Sequence, residues 1–581
     1  MAQTPFPLGV ALIRGLKGYS FHTFKQDLLA ALVVSLLALP LSMALSIAVG
    51  LPPEQGIYTA IVAGFIVPLL GGSLNQVTGP TAAFVVILAP IVAQYGLRGI
   101  VWSCILSGFI LIGFGLSRMG KLINYVPYPV TTGFTAGIAL VLATLSLNDF
   151  LGLGIKALEG PFVHKVSTLI QHLPGLNYFD MSVGLVTLVL LFLPIHRLKW
   201  LPNAVTAVVI GALLAKVYHY FGYPVHTIGS HFSYLSPTGQ TLAGIPPYPP
   251  TLGLPTFEAG HILSIPSLTE LRTLLFPAFT IAILAALESL LSATVADSIS
   301  GNKHQPDAEL NSLGIGNILS GLALGIPATG AIARTATNIH SGGKTPFAAS
   351  MHALFILMYV LLFSKLINYI PMSCLAALLI NTAYRMSHYK QFYRTLQIAP
   401  RSDSFVLLTC FLLTVFVDMI AGVGIGMICA AFLLIKRVTE MTHVEFESNG
   451  PESPSNHLPE GTLIHRIRGP LFFGTIEKAF DRQKLSYDHI TKFVVDMTNV
   501  PFIDMTGLVA IKSMLASIAT LHREVHLVCN VAQLESKLKK KVKGEKFEPF
   551  VFFHKTLEEA LSACNASLEK QKTLKSKELY V

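Results

Sequence analysis

Gln76-Val77-Thr78-Gly79-Pro80-Thr81-Ala82-Ala83-Phe84-Val85-Val86-Ile87-Leu88-Ala89-Pro90 is the stretch that decides how this chain folds. After Thr78-Gly79-Pro80 its apolar run reaches only Pro90, too short for a membrane-crossing helix, which needs about 20 residues. A second such segment follows Pro327-Ala328-Thr329-Gly330 and is broken by Arg334 and Asn338. Both lie among long hydrophobic runs. Paired interrupted segments in two halves of a membrane protein mark a secondary transporter's binding site.

The surroundings set that reading. Of 581 residues, 52% are hydrophobic and only 12% charged, about half the charge share of a soluble domain. Apolar residues cluster in runs such as Leu28–Ile47, Val183–Leu193, Thr273–Leu291, Phe347–Phe363 and Phe405–Phe416. A multi-span membrane protein follows. The first run is too long for a signal-peptide core and contains Pro40, so it reads as a mature span. Six cysteines and nineteen histidines show no metal-ligand spacing, so no metal or cofactor is expected.

The net charge of +10 does not point to nucleic acid, because the basic residues gather at span ends. They fall at Arg14, Lys17 and Lys25, at Arg118 and Lys121, at Arg197 and Lys199, from Arg385 to Arg401, and at Lys436-Arg437; Gly222–Leu271 has no Lys or Arg. With both termini in the cytoplasm and 14 spans, these clusters lie inside, as the positive-inside rule requires. Arg98 and Lys365 fall on the other side.

Spans are expected at 27–47, 54–72, 77–92, 98–116, 118–143, 181–196, 202–221, 270–293, 307–322, 329–342, 346–367, 370–385, 402–420 and 421–438. Seven per half is odd, so the halves are inverted repeats, and the short spans 3 and 10 become symmetry mates. Gly222–Thr269 is a proline-rich outer loop. Residues 1–26 form an N-terminal segment, 27–438 the transporter domain, 439–461 a polar linker and 462–581 a soluble α/β unit. Strands in that unit are expected at Thr462–Ile467, Lys492–Val495, Val525–Val531 and Phe550–His554, with helices at Met505–Leu521 and Thr556–Leu568.

Several motifs in order carry a family resemblance. They are Ala38-Leu39-Pro40-Leu41-Ser42-Met43-Ala44, Pro52-Pro53-Glu54-Gln55-Gly56-Ile57-Tyr58, Thr78-Gly79-Pro80-Thr81-Ala82-Ala83, Glu288-Ser289-Leu290-Leu291 with Ala296-Asp297, and Ala331-Ile332-Ala333-Arg334-Thr335. The chain resembles the sulfate-permease (SulP, solute-carrier-26) family over essentially its whole length, with a C-terminal unit similar to a STAS domain. Within the family it is most similar to bacterial C4-dicarboxylate transporters of the DauA type. The resemblance implies a core of spans 1–4 and 8–11 moving as an elevator against a gate of spans 5–7 and 12–14, in a homodimer of the inner membrane. It also implies proton-coupled uptake of succinate, fumarate, malate or aspartate. Bicarbonate, sulfate, or passive channel or motor behaviour are the alternatives within the family. A nucleobase permease would share the inverted repeat but lack the STAS domain, and Gly325–Thr345 has Arg334 and no acid.

A helix start leaves unpaired N–H groups and about half a positive charge, so two such starts facing each other hold an anion. Gly79 and Gly330 allow close approach, Pro80 suits a first helical position, and Thr78, Thr81 and Thr329 add hydroxyls. Ala82, Ala331 and Ala333 complete the two starts. Arg334 either supplies positive potential to the anion or pairs with a carboxylate, Glu288 above all, or with backbone carbonyls as structural glue. Glu288 lies in apolar surroundings that disfavour its charged form, which suits proton coupling; Ser292 sits one turn on. Leu45 matches a position that lines the family's site, with core packing the alternative. Glu54, Asp297 and Asp418 read as helix caps or turns. Asp496–Gly507 resembles the loop of anti-sigma-factor antagonists, but Met505 replaces their phosphorylated serine. Thr506 is adjacent and Asp504 suits a helix N-cap, so regulation or docking of a cytoplasmic partner is expected there rather than catalysis.

Overall fold

The computed structural model describes residues 7–155, 158, 160–193, 202–235, 240–256, 262–448, 458–480, 490–519, 523–529 and 531–578. The chain divides into two compact units, Met1–Ile428 and Cys429–Val581.

The first unit is helical. A short α1 (Val10–Leu16) precedes α2 (Phe21–Val49) and α3 (Pro53–Leu70), after which the chain extends as β1 (Thr78–Gly79). There follow α4 (Ala83–Leu116), α5 (Tyr128–Phe150), α6 (Phe162–His172), α7 (Tyr178–Phe192) and α8 (Asn203–Tyr220). A loop region holds the one-turn α9 (Ile228–His231) and the hairpin β2 (Ser233–Leu235) and β3 (Thr241–Ala243). The second half runs through α10 (Leu268–Ser300), α11 (Pro306–Leu322), β4 (Thr329–Gly330), α12 (Ile332–His340), α13 (Pro346–Ile367), α14 (Met372–Met386), α15 (Tyr389–Ile398), α16 (Arg401–Phe416) and α17 (Met419–Glu440).

Local chemistry sets these boundaries. The Ser20 hydroxyl accepts from the Thr23 amide to start α2, and Gly50 ends it in the left-handed region. Ser267 and Glu270 close a reciprocal capping box at α10. Among the described residues eight helices are long and apolar enough to cross a membrane, and the bent pair around α6 and α7 would make a ninth. The sequence spans coincide with helical segments, with one correction, at span 5. Spans 3 and 4 are two helices within the segment labelled α4, separated at Gly96, whose φ of 61° and ψ of −160° are not helical, inside the gap expected between them. Span 5 starts late: 118–127 holds a 3-10 turn, and α5 begins only after Pro127 and runs on to Phe150. The end of span 6, with Arg197 and Lys199, lies outside the described residues.

The halves interlock through small residues. A Cβ on Gly108 of α4 would stand 2.5 Å from the Gly314 carbonyl of α11, and the reverse distance is 2.6 Å. Backbones this close need glycine on both sides.

The second unit carries a five-stranded sheet: β5 (His443–Ser448), β6 (Thr462–Arg468), β7 (Lys492–Asn499), β8 (Glu524–Val528) and β9 (Val551–His554), in that spatial order. The pair β5–β6 is antiparallel and the other three pairs are parallel. Helices α18 (Ile476–Ala479), α19 (Met505–Ala519), α20 (Ala532–Val542) and α21 (Leu557–Glu578) complete it. Strand β5 is the chief correction here. It lies inside the stretch read as linker, because His-Val-Glu-Phe-Glu-Ser alternates and pairs with β6 along its whole length.

Candidate functional site: two helix starts at a strand crossing

The two short segments meet. Thr78 pairs with Gly330 and Gly79 with Thr329 in an antiparallel two-residue ladder, extended by the Ala331 amide donating to the Val77 carbonyl at 2.8 Å. Each strand runs directly into a helix, α4 from β1 and α12 from β4. Antiparallel strands send these helices apart, so their amino ends lie next to the crossing. In α4 the first helical bonds come from Phe84 to Thr81 and from Val85 to Ala82. In α12 the bond from Thr335 to Ala331 is the first of its kind. The preceding amides face forward from each start.

Buried polar side chains bolt the crossing. Thr335 Oγ1 accepts from the Val77 amide at 3.0 Å. Gln76 Nε2 donates to Ser289 Oγ at 2.6 Å, and Thr329 Oγ1 donates to the Ala285 carbonyl at 2.8 Å. Asn317 holds both backbone groups of Ala328, accepting at 2.8 Å and donating at 3.0 Å. Thr59 Oγ1 accepts from Ile326 N–H at 2.7 Å. Sequence reading passed over Gln76, Thr59 and Asn317, and it assigned the Thr329 hydroxyl to the anion where the structure gives it to the Ala285 carbonyl. The signal available was a polar side chain inside an apolar span, which in lipid needs a partner.

Arg334 is 3% exposed. Its Nη2 donates to the Pro80 carbonyl of the opposite segment at 3.2 Å. Its Nη1 has no partner among the described residues and lies where a Cβ on Gly79 would stand, 2.5 Å away. A side chain at Gly79 would therefore push the guanidinium aside from its present place. A side chain at Gly330 would likewise displace Gln76, since its Cβ would stand 2.1 Å from Gln76 Nε2. Arg334 and Glu288 form no ion pair among the described residues, so the carboxylate form of the structural-glue alternative is absent, while the Pro80 bond is the backbone-carbonyl form of it. Glu288 Oε2 instead accepts from Thr81 Oγ1 at 2.6 Å. Ser292 does not join Glu288; its hydroxyl bonds Thr335 at 3.2 Å and belongs to the scaffold.

Ala82 and Ala331 are buried and Ala333 is exposed, while Leu45 is buried in α2. Thr78 Oγ1 is buried without a partner among the described residues. A cavity of 440 Å³ lies beside α4 one turn beyond its start, walled by Val86, Pro90, Val141, Phe276, Thr280 and Thr414. It separates α4 and α10 from α5 and α16.

The expected turns are present. Asp297 accepts from His304 N–H at 3.0 Å after α10, and Asp418 from Ala421 N–H at 2.7 Å between α16 and α17. Glu54 lies in the first turn of α3. In the second unit Asp504 Oδ1 accepts from Gly507 N–H at 2.7 Å and Oδ2 from Phe473 N–H at 3.2 Å. Asp504 is thus an N-cap that also ties a neighbouring loop, and Thr506 is exposed beside it. Phe473, Phe502 and Met505 surround it as exposed apolar side chains.

Comparison with known proteins places the chain in a family. The sulfate permease family matches residues 24–410, and the STAS domain matches 453–560. The protein named "Putative sulfate transporter YvdB" of Bacillus subtilis is 36% identical over 497 residues, covering 84% of this chain and 88% of that one. The bicarbonate transporter BicA of a Picosynechococcus strain is 27% identical, covering 90% and 91%. The solved transmembrane domain of a cyanobacterial BicA superposes with a TM-score of 0.59 at 27% identity, over 70% of this chain and 99% of that one. The overall structure of SLC26A9 gives 0.80 at 18% identity over 97% and 94%, which speaks to fold alone. These relatives are named for sulfate, bicarbonate and anions, and C4-dicarboxylates are not among those names. The chain belongs to the sulfate permease family: it is an anion transporter with a STAS domain, not an enzyme.

Proposed function

We propose secondary active transport of a small oxyanion bound between the starts of α4 and α12. One observation carries this reading: a buried arginine with a free guanidinium nitrogen at the point where two helix starts meet. Two amino ends and Arg334 supply positive potential without a neutralising carboxylate in contact. Sulfate and bicarbonate come first as substrates, because the named relatives transport them or are named for them. The C4-dicarboxylates rest on motif resemblance alone and come second.

Glu288 is the coupling group in this reading, with the proton as coupling ion. While ionised it engages the Thr81 hydroxyl and places a negative charge near the anion. Once protonated it becomes a donor to Thr81 Oγ1, freeing the Thr81 hydroxyl hydrogen for the anion. Proton and anion would then load together. The cavity between α4–α10 and α5–α16 supports an elevator, in which spans 1–4 and 8–11 slide against the rest. We also assign the chain to the plasma membrane with both termini cytoplasmic, as a homodimer, with Asp504, Thr506 and the apolar side chains around them as a regulatory or partner-docking face.

The test is uptake of labelled sulfate, bicarbonate and succinate into proteoliposomes at several pH values. Accumulation above the outside concentration, driven by inward proton flow, is expected. Equilibration without accumulation for every anion would make the protein a passive conductor.

A further inference from the structure

A second cavity, of 510 Å³, lies in the first unit on the face where α2 begins and where α10 and α12 end. Arg14, Lys17 and Lys344 line it together with Tyr19, Asn75 and Asn302, and no carboxylate is among its lining residues. None of the three cations makes an ion pair among the described residues, and Arg14 Nη1 donates only to the Lys303 carbonyl, at 3.1 Å. The neighbouring carboxylate, Asp27, is fully buried and already accepts from Lys344 N–H, from the Thr345 amide and hydroxyl and from Tyr19. Ser300 Oγ accepts twice from Asn302, at 3.4 Å and 3.2 Å, so its own hydroxyl hydrogen is left to donate.

The cavity is wired to the crossing. Asn75 Nδ2 donates to the Gly343 carbonyl at 2.7 Å, and Asn338 Nδ2 donates to the Asn75 carbonyl at 2.9 Å. Asn75 stands three residues before Thr78, and Asn338 four residues after Arg334. A ligand that orders this wall therefore acts on both segments of the transport site at once.

We propose that this cavity is a regulatory site for a phosphate group, held by Arg14, Lys17 and Lys344. Three cations over hydroxyl and amide donors match the acceptor oxygens and negative charge of a phosphate, about −1.5 to −2 when free and about −1 in a phosphodiester headgroup. The phosphate comes from either a phospholipid headgroup or free phosphate. Occupancy fixes the Leu74–Asn75 loop against Gly343 and so steadies the strand crossing. This site is separate from the transported anion's.

The experiment compares the full-length chain with the double variant Lys17→Gln/Lys344→Gln, both exposed positions outside the transport site. One arm titrates inorganic phosphate into detergent-solubilised protein. The other measures phosphatidylglycerol retained from nanodiscs mixed with phosphatidylcholine. Hydrogen exchange of residues 72–82 is followed in both. A phosphate affinity at least tenfold weaker in the variant, with exchange slowed by phosphate only in the parent, identifies free phosphate. Loss of phosphatidylglycerol retention with an unchanged phosphate arm identifies the headgroup. Lys17→Arg/Lys344→Arg should restore whichever is lost. Equal behaviour of parent and variant in both arms overturns the proposal, and phosphate bound equally by both would place it at the transport site instead.

Discussion

Gly79→Ala tests the crossing with one methyl group. The added Cβ would stand 2.5 Å from Arg334 Nη1, where ordinary contact needs about 3.5 Å. Backbone surrounds Gly79 in the ladder with Thr329, so the guanidinium must retreat by about 1 Å. Its 3.2 Å bond to the Pro80 carbonyl then stretches beyond hydrogen-bond range. A hydrogen bond to a charged group is worth about 1.5–3 kcal/mol, and the displaced charge no longer faces the anion as before. At 1.4 kcal/mol per tenfold, anion affinity should weaken by about 10- to 100-fold. The assay is concentration-dependent uptake in proteoliposomes, corrected for inserted protein, with the KM expected to rise more than the maximal rate falls. Gly113→Ala is the control, because its Cβ would meet nothing within 4 Å. A Gly79→Ala protein with KM within twofold of the parent would refute the link between Arg334 and the bound anion.

Three further perturbations probe other parts of the account. Glu288→Gln should leave anion exchange measurable but abolish its pH dependence and proton-driven accumulation; uphill uptake with the parent pH profile would remove Glu288 from coupling. Asn317→Leu strips the buried backbone of Ala328 of both partners and should cost about 2–5 kcal/mol, read as a lower Tm and loss of uptake together. In the second unit burial between Phe446 and Phe480 pushes the His465 imidazole down to about 4. Unfolded histidine titrates near 6.5, so the unfolded state binds the proton first and stability falls as pH drops. From pH 7 to 5 the loss is about 2 kcal/mol, visible as faster hydrogen exchange of β6. His465→Leu should flatten much of that slope.

The sequence exposed the crossing because its two segments are short, begin with the same Thr-Gly pair and sit among longer apolar runs. Apolar length also located each long helix, although some ends differ by up to ten residues, as at the start of α5. Three features stayed hidden, each for a physical reason. The expected start of α5 is ten residues too early, because Met119–Tyr125 is apolar enough to read as part of a span yet folds as a 3-10 turn ahead of Pro127. Strand β5 alternates charge with apolar residues over only six positions, too briefly to stand out from a polar linker until β6 pairs with it. At the site, the family resemblance implied a shared role for Glu288 and Ser292, one turn on. Rotation about the helix and the approach of Thr335 settle its contacts instead. The scaffold residues Gln76, Thr59 and Asn317 act across more than 200 positions of sequence or through a turn, and no local pattern encodes such pairs.

The most direct measurement is a density map of the protein saturated with its transported anion, using selenate in place of sulfate so that anomalous scattering marks the ion. The account expects one peak within hydrogen-bond reach of the first amides of α4 and α12 and near Arg334 Nη1. A peak bound elsewhere along the helices, with the two helix starts unoccupied during transport, would contradict it.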